Sequence, residues 1–205
     1  GIESTMPDAE IVLASASQSR ADLLEGAGLE VLIHPANIDE AVIKNECRQR
    51  DKDVATTAAQ LAREKSEKIS NLFPDAFVIG ADQMLDCGGE WLDKPVDMAA
   101  AVKSLRFLRG RTHELVTSVS IMRSGREQWC FTDRAKLVMR DFSDEFLETY
   151  LHRVGEAVLS SVGAYQLEGL GAQLFERIDG DYFTILGLPL LPVLGYLRDE
   201  GALSV

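Results

Sequence analysis

The stretch Glu10-Ile-Val-Leu-Ala-Ser-Ala-Ser-Gln-Ser-Arg-Ala-Asp-Leu-Leu-Glu-Gly-Ala-Gly28 decides the fold class. Glu10 to Ala14 read as a short buried strand, Ser15 to Arg20 as a polar turn, and Ala21 to Ala27 as a helix stopped near Gly28. A strand that feeds straight into a helix is the unit of an α/β sheet.

The same alternation runs outward along the chain. Glu30 to His34 reads as the next strand and Asn37 to Glu40 as a polar loop. From Asp53 to about Leu72 the residues Val54, Ala58, Leu61, Ala62, Ile69 and Leu72 recur at helical spacing, with Pro74 just beyond. Ala76 to Ala81 predicts a buried strand, followed by a hairpin over Gly88-Gly89, and Asp97 a cap for a helix ending near Gly110. Leu115 to Met122 and Trp129 to Met139, joined through Ser124-Gly125, predict an antiparallel pair. Ser143 to Leu151 and Pro189 to Leu197 read as helices, and Ala172 to Ile178 as a strand. The expected fold is α/β, a mixed twisted sheet with flanking helices.

Bulk properties bound the function. The 205 residues fit one domain, with residues 1–8 read as a loose N-terminus. A formal charge of −12 opposes a broad grip on nucleic acid, where affinity comes from neutralising many phosphates. A small polyanion would need locally placed cations or a divalent metal. Cys47, Cys87 and Cys130 form neither a zinc pattern nor a disulfide framework, which fits a reducing cytoplasm. The apolar run from Leu186 to Leu197 is short and broken by Pro189 and Pro192, and the N-terminus has no signal-sequence pattern, so no membrane association is expected.

Several residues suggest chemistry, each with a plainer alternative. Ser15, Ser17 and Ser19 with Arg20 lie where a strand meets a helix N-terminus, a place that favours an anion; a capping serine and a solvated arginine would also account for them. Lys65 interrupts an apolar stripe, either as a point charge turned inward or as a lysine whose stem covers apolar surface. Asp82 follows purely apolar or small residues and is read as a strand end, where a carboxylate binds Mg²⁺, accepts a proton, or merely starts a turn. Glu40 is a second candidate metal ligand or a surface glutamate. Lys94 is held extended by Pro95, and Glu168 precedes the flexible Gly169-Leu-Gly171. His34, His113 and His152 lack metal-ligand spacing, and neither a P-loop nor a nucleophile elbow is present.

Leu13-Ala-Ser-Ala-Ser-Gln-Ser-Arg20, Ile38-Asp-Glu40, Lys65, Gly80-Ala-Asp82, Lys94-Pro95, Gly163-Ala-Tyr165 and Gly187-Leu-Pro189 together resemble the Maf family of nucleoside triphosphate pyrophosphatases over nearly the whole chain. The resemblance implies a Maf/ITPase-like fold with a central cleft, and metal-assisted hydrolysis of a nucleotide to its monophosphate and pyrophosphate. It implies Asp82 as the group that activates water, with Ser15, Arg20, Lys65 and Lys94 on phosphates, and Glu40 and Asp82 on Mg²⁺ or Mn²⁺. It also implies a homodimer. Ser19 stands where much of the family has a cation, Gln83 where it has Thr, Glu168 where it has Gln, and Ser160-Ser161 where an Asp-Lys pair is frequent. Gln83, Glu168 and Leu174-Phe-Glu-Arg-Ile178 are similar to the branch acting on 7-methyl-GTP, and a carboxylate at Glu168 suits guanine's donors and a methylated, positive base. The alternatives are the same chemistry on dTTP or UTP, and a nonenzymatic interaction protein affecting cell division.

Overall fold

A computed structural model describes residues 10–205. The loose end expected at residues 1–8 lies outside the described residues. β1 (Ile11–Leu13) is wholly buried and pairs in parallel with β2 (Leu32–Ile33) on one side and β3 (Phe77–Cys87) on the other. β5 (Thr112–Arg123), β6 (Arg126–Met139) and β7 (Phe175–Asp179) continue the sheet antiparallel, in the order β2-β1-β3-β5-β6-β7. β4 (Glu90–Leu92) pairs only with the end of β3. The mixed α/β sheet is therefore as expected.

Turn chemistry sets the hairpins. Gly88 and Gly89 both have positive φ between β3 and β4, as do Ser124 and Gly125 between β5 and β6, the geometry that matches the twist of antiparallel strands. Side-chain caps start the helices. Ser17 caps α1 (Gln18–Gly26), Asp53 caps α3 (Val54–Ser70), Asp97 caps α4 (Met98–Leu108) and Ser143 caps α5 (Asp144–Val154).

The two faces of β3 and β5 bury different partners because successive side chains alternate. On one face Met84 and Val116 pack with Ala58 and Leu61 of α3. Each fully buried Leu or Val there stabilises the fold by about 1.5–3 kcal/mol. On the other face Leu85 and Leu115 pack with Leu105 and Leu108 of α4, and Ile79 and Val119 with Leu24 of α1 and Val193 of α7 (Leu190–Asp199). Gly80 lets α3 lie directly on β3: a Cβ at Gly80 would stand 2.3 Å from the Ala62 carbonyl oxygen.

Two local expectations are corrected. Asn37 to Glu40 is not all loop, because Asp39 caps α2 (Glu40–Gln49) and Glu40 is its first residue. Only Ile43 and Cys47 of α2 are buried, so its apolar stripe is too thin to stand out in sequence. Asp82 does not end a strand; β3 runs on through it to Cys87. The polar residues Asp82 and Gln83 are accommodated mid-strand because β3 is paired on one side only there.

Candidate active site

A gap in the sheet creates the cleft. β1 is registered with β3 only as far as Ile79, and β4 rejoins β3 only from Leu85. From Gly80 to Met84, β3 is registered with β5 alone. Side chains from opposite faces of the strand, Asp82 and Gln83, thus reach one opening. The carboxyl end of β1 delivers the Ser15–Arg20 turn to the same place, as expected at a switch point of an α/β sheet. The resulting cavity of about 350 Å³ is lined by Ser17, Ser19, Arg20, Glu40, Lys65 and Asp82, together with Gln83, Lys94 and Glu168.

Arg20 is not a solvated arginine. It is 8% exposed, its Nε donates to the Gly187 carbonyl at 2.7 Å, and its Nη1 donates to Ser15 Oγ at 3.3 Å. Burial lowers its pKa, countered by the charges of Asp82 and Glu40. Ser15 is buried behind Arg20, where its Oγ also accepts from the Ser17 amide, and it does not line the cavity. Ser17 lines the cavity, but its hydroxyl accepts from the Arg20 amide as the cap of α1. Ser19 is exposed at the cavity wall.

Lys65 is turned inward. Its Nζ lies 2.6 Å from Glu40 Oε1 and 3.1 Å from Asp82 Oδ1, so a single ammonium bridges both carboxylates. Asp82 is 5% exposed, and its Oδ2 is buried with no hydrogen-bond partner. Desolvation pushes the Asp82 carboxyl above the ordinary aspartate range, outweighing the opposing charges of Lys65 and Arg20. Burial also acts to raise Glu40, yet the charge and hydrogen bond of Lys65, helped by Lys44 and Lys94, leave it below its ordinary value. The two carboxylates thus titrate apart. The carboxylate with the raised value is the stronger proton acceptor of the two, and the one with the lowered value holds its charge more firmly.

The donor set also fits a hard divalent cation. The unpartnered Asp82 Oδ2 and the half-exposed Glu40 are two carboxylates facing one cavity. Among the described residues no group of three His, Cys, Asp or Glu could hold a metal, so further ligands would have to be water or substrate oxygens. One or two carboxylates completed by phosphate and water is the Mg²⁺ pattern.

Lys94 lines the cavity after β4, and its pKa is lowered first by burial and then by Arg20. Gln83 Nε2 lies within 3.1 Å of three acceptors: Thr117 Oγ1 and the carbonyls of Thr184 and Ile185. Because Thr117 Oγ1 itself donates to the Thr184 carbonyl, these contacts require the amide nitrogen, which leaves Gln83 Oε1 as the free acceptor. Glu168 lines the cavity with Leu167, Tyr165 and Val162, and its side chain does not cap the turn that follows. Tyr165 is held from behind by His113, whose Nε2 is 2.8 Å from the tyrosine hydroxyl.

Two charged cavity residues went unrecognised in the sequence. Lys44 and Asp93 form a 2.8 Å ion pair at the cavity wall. Burial alone would lower the Lys44 pKa, but its hydrogen bond to Asp93 and the charges of Asp93, Asp82 and Glu40 raise it. Lys44 follows Glu40 by one helical turn, a spacing that becomes a signal only once α2 is known to be a helix.

The chain is similar to known proteins over most of its length. The sequence model of a family described as Maf-like protein matches residues 10–200. A nucleoside triphosphate pyrophosphatase of Granulibacter bethesdensis is 49% identical over 196 residues, covering 96% of this chain and 100% of that protein. A 7-methyl-GTP pyrophosphatase of Rhizobium etli is 46% identical over 195 residues, covering 95% of this chain and 98% of that protein. A nucleoside triphosphate pyrophosphatase of Hyphomonas neptunium is 50% identical over 188 residues, covering 92% and 94%.

Proposed function

The chain belongs to the Maf-like family, and from that premise we propose that it is a nucleoside triphosphate pyrophosphatase whose preferred substrate is 7-methyl-GTP. The observation that carries the proposal is the buried Asp82 carboxylate, with Oδ2 unpartnered and Lys65 on Oδ1, in a cavity also lined by Arg20 and Lys94.

In this reading the Asp82 carboxylate accepts the proton of an attacking water. The water oxygen bonds to the α phosphorus, the bond from that phosphorus to the α–β bridging oxygen breaks, and pyrophosphate leaves with that oxygen. Lys65 orients Asp82 and, with Arg20 and Lys94, neutralises phosphate charge. Arg20 is pre-set for this by Gly187 and Ser15, so little reorganisation is needed when substrate arrives. Glu40 and Asp82 would hold Mg²⁺ or Mn²⁺, which when bound supplies further charge neutralisation. Ser17 and Ser19 flank the phosphate region. Gln83 Oε1 and the Glu168 carboxylate meet hydrogen donors of the nucleotide, and Glu168 favours a guanine made positive by N7 methylation.

The proposal extends to a single catalytic domain acting as a cytoplasmic homodimer. Three unpaired cysteines support a reducing compartment, and no helix among the described residues is long and apolar enough to cross a membrane. Sedimentation at micromolar concentration checks the dimer.

A panel of 7-methyl-GTP, GTP, dTTP and UTP, assayed with Mg²⁺ and with Mn²⁺, tests the function. The highest kcat/KM is expected for 7-methyl-GTP, with no turnover by Asp82→Ala. A ranking led by dTTP or UTP would replace the substrate assignment, and undiminished activity of Asp82→Ala would remove the mechanism.

A further inference from the structure

Lys44 has no place in the mechanism above, yet it faces the same cavity as Lys65 and Asp82. It lies on α2 one turn beyond Glu40, so both side chains project from the same helix face. The next position on that face, Arg48, stacks its guanidinium 3.8 Å from the centre of the Trp91 ring and donates to the Gly89 carbonyl at 2.9 Å. These contacts fix α2 against the β3–β4 hairpin without help from Lys44.

The two lysine ion pairs of the cavity differ in how firmly they are held. Lys65 is paired with the buried Asp82, whose side chain is 8% exposed, and to separate that pair would strand a charge in the protein interior. Lys44 is paired with Asp93, whose side chain is 70% exposed, while the lysine's own is 21% exposed. Asp93 loses little by turning to water, since an exposed carboxylate gains little from an ion pair. Of these two paired lysines, Lys44 is thereby the one more easily released toward an incoming anion. The need for one is physical: the chain carries a formal charge of −12, and a triphosphate must be drawn into a cleft that already holds Glu40, Asp82 and Asp93.

Resting on the phosphate-binding reading of this cleft, we infer that Lys44 is a further polyphosphate-binding residue, kept in reserve by Asp93 and handed to the substrate's phosphates when they enter. Asp93 then acts as a positioning residue and as a competitor of the substrate for the same ammonium.

Two variants that break the same ion pair separate this role from a structural latch. Lys44→Met removes the cation, and Asp93→Asn leaves the cation but frees it. Binding of inorganic tripolyphosphate with Mg²⁺ is measured by calorimetry, and KM and kcat for the best triphosphate are measured in parallel. The expected result is opposite shifts: Lys44→Met weakens tripolyphosphate binding and raises KM about tenfold, and Asp93→Asn tightens both, by up to about fivefold. In both variants kcat stays near wild type, and Lys44→Arg retains wild-type affinity. Shifts in the same direction for both variants, or unchanged tripolyphosphate affinity in Lys44→Met, would overturn the inference. The binding readout does not depend on turnover: a wild-type protein that hydrolyses no triphosphate sinks the proposed function, whereas an active one with matching shifts sinks only the role of Lys44.

Discussion

Gly80→Ala separates the geometry of the site from its chemistry, because it adds one methyl group and touches no charged residue. The new Cβ would lie 2.3 Å from the Ala62 carbonyl oxygen, 2.7 Å from the Ser66 amide nitrogen and 2.8 Å from Ser66 Cβ. All belong to α3, and the first two are backbone atoms that no rotamer change can move. To restore ordinary contact, helix and strand must part locally by about 1 Å. Overpacking of this kind costs about 1–3 kcal/mol, and for a chain of this length about 2–4 °C of melting temperature per kcal/mol. Lys65 lies between Ala62 and Ser66 on that helix, so its 3.1 Å contact to Asp82 opens with it. A misplacement of about 1 Å at a reacting centre costs on the order of 100-fold in rate. Pyrophosphate release at saturating substrate and a thermal melt of the same preparation measure both effects. Gly26→Ala is the control: nothing lies within 4 Å of a Cβ there, and the helix should gain up to about 1 kcal/mol with kcat unchanged. Wild-type kcat and melting temperature in Gly80→Ala would refute the claim that α3 and β3 are held at contact distance to set Lys65.

Further outcomes follow from the same contacts. Lys65→Met should lower kcat at least 100-fold, because it unpairs two carboxylates and removes a phosphate cation; steady-state kinetics decides, and a change confined to KM would assign Lys65 to binding alone. Burial raises the Asp82 pKa, so the folded state binds the proton more tightly than the unfolded chain and stability declines as pH rises through the folded value. Asp82→Asn should therefore be inactive yet melt above wild type at neutral pH without metal, and a lower melting temperature would show that the charge is stabilised in place. In the metal-free wild type the Asp82 carboxyl should titrate above the ordinary aspartate value of 3.8, and an NMR titration that places it below would show that the charges of Lys65 and Arg20 outweigh burial. Glu168→Gln should reduce the preference for 7-methyl-GTP over UTP about tenfold or more, read from paired kcat/KM values; an unchanged ratio would remove Glu168 from base recognition.

Local rules made much of this molecule legible. Helix α3 is visible from its stripe, and the hairpins from Gly88-Gly89 and Ser124-Gly125. Lys65 stood out because it broke the stripe, and burial between Glu40 and Asp82 decides between the two readings it allowed. What escaped depends on partners far along the chain. Arg20 owes its burial to Gly187, 167 residues away, and Lys44 meets Asp93 across 49 residues. The continuation of β3 through Asp82 escaped for a related reason. An aspartate after an apolar run marks a strand end unless the neighbouring strand stops first, and where β1 stops is a property of the assembled sheet.

The central claim is that this cleft cleaves a nucleoside triphosphate between its α and β phosphorus atoms with Asp82 as the proton acceptor. Product stoichiometry with 7-methyl-GTP, from wild type and Asp82→Asn side by side, tests it most directly. Equal amounts of 7-methyl-GMP and pyrophosphate from the wild type, and neither from the variant, are predicted. A diphosphate product with orthophosphate, or undiminished turnover by Asp82→Asn, would contradict it.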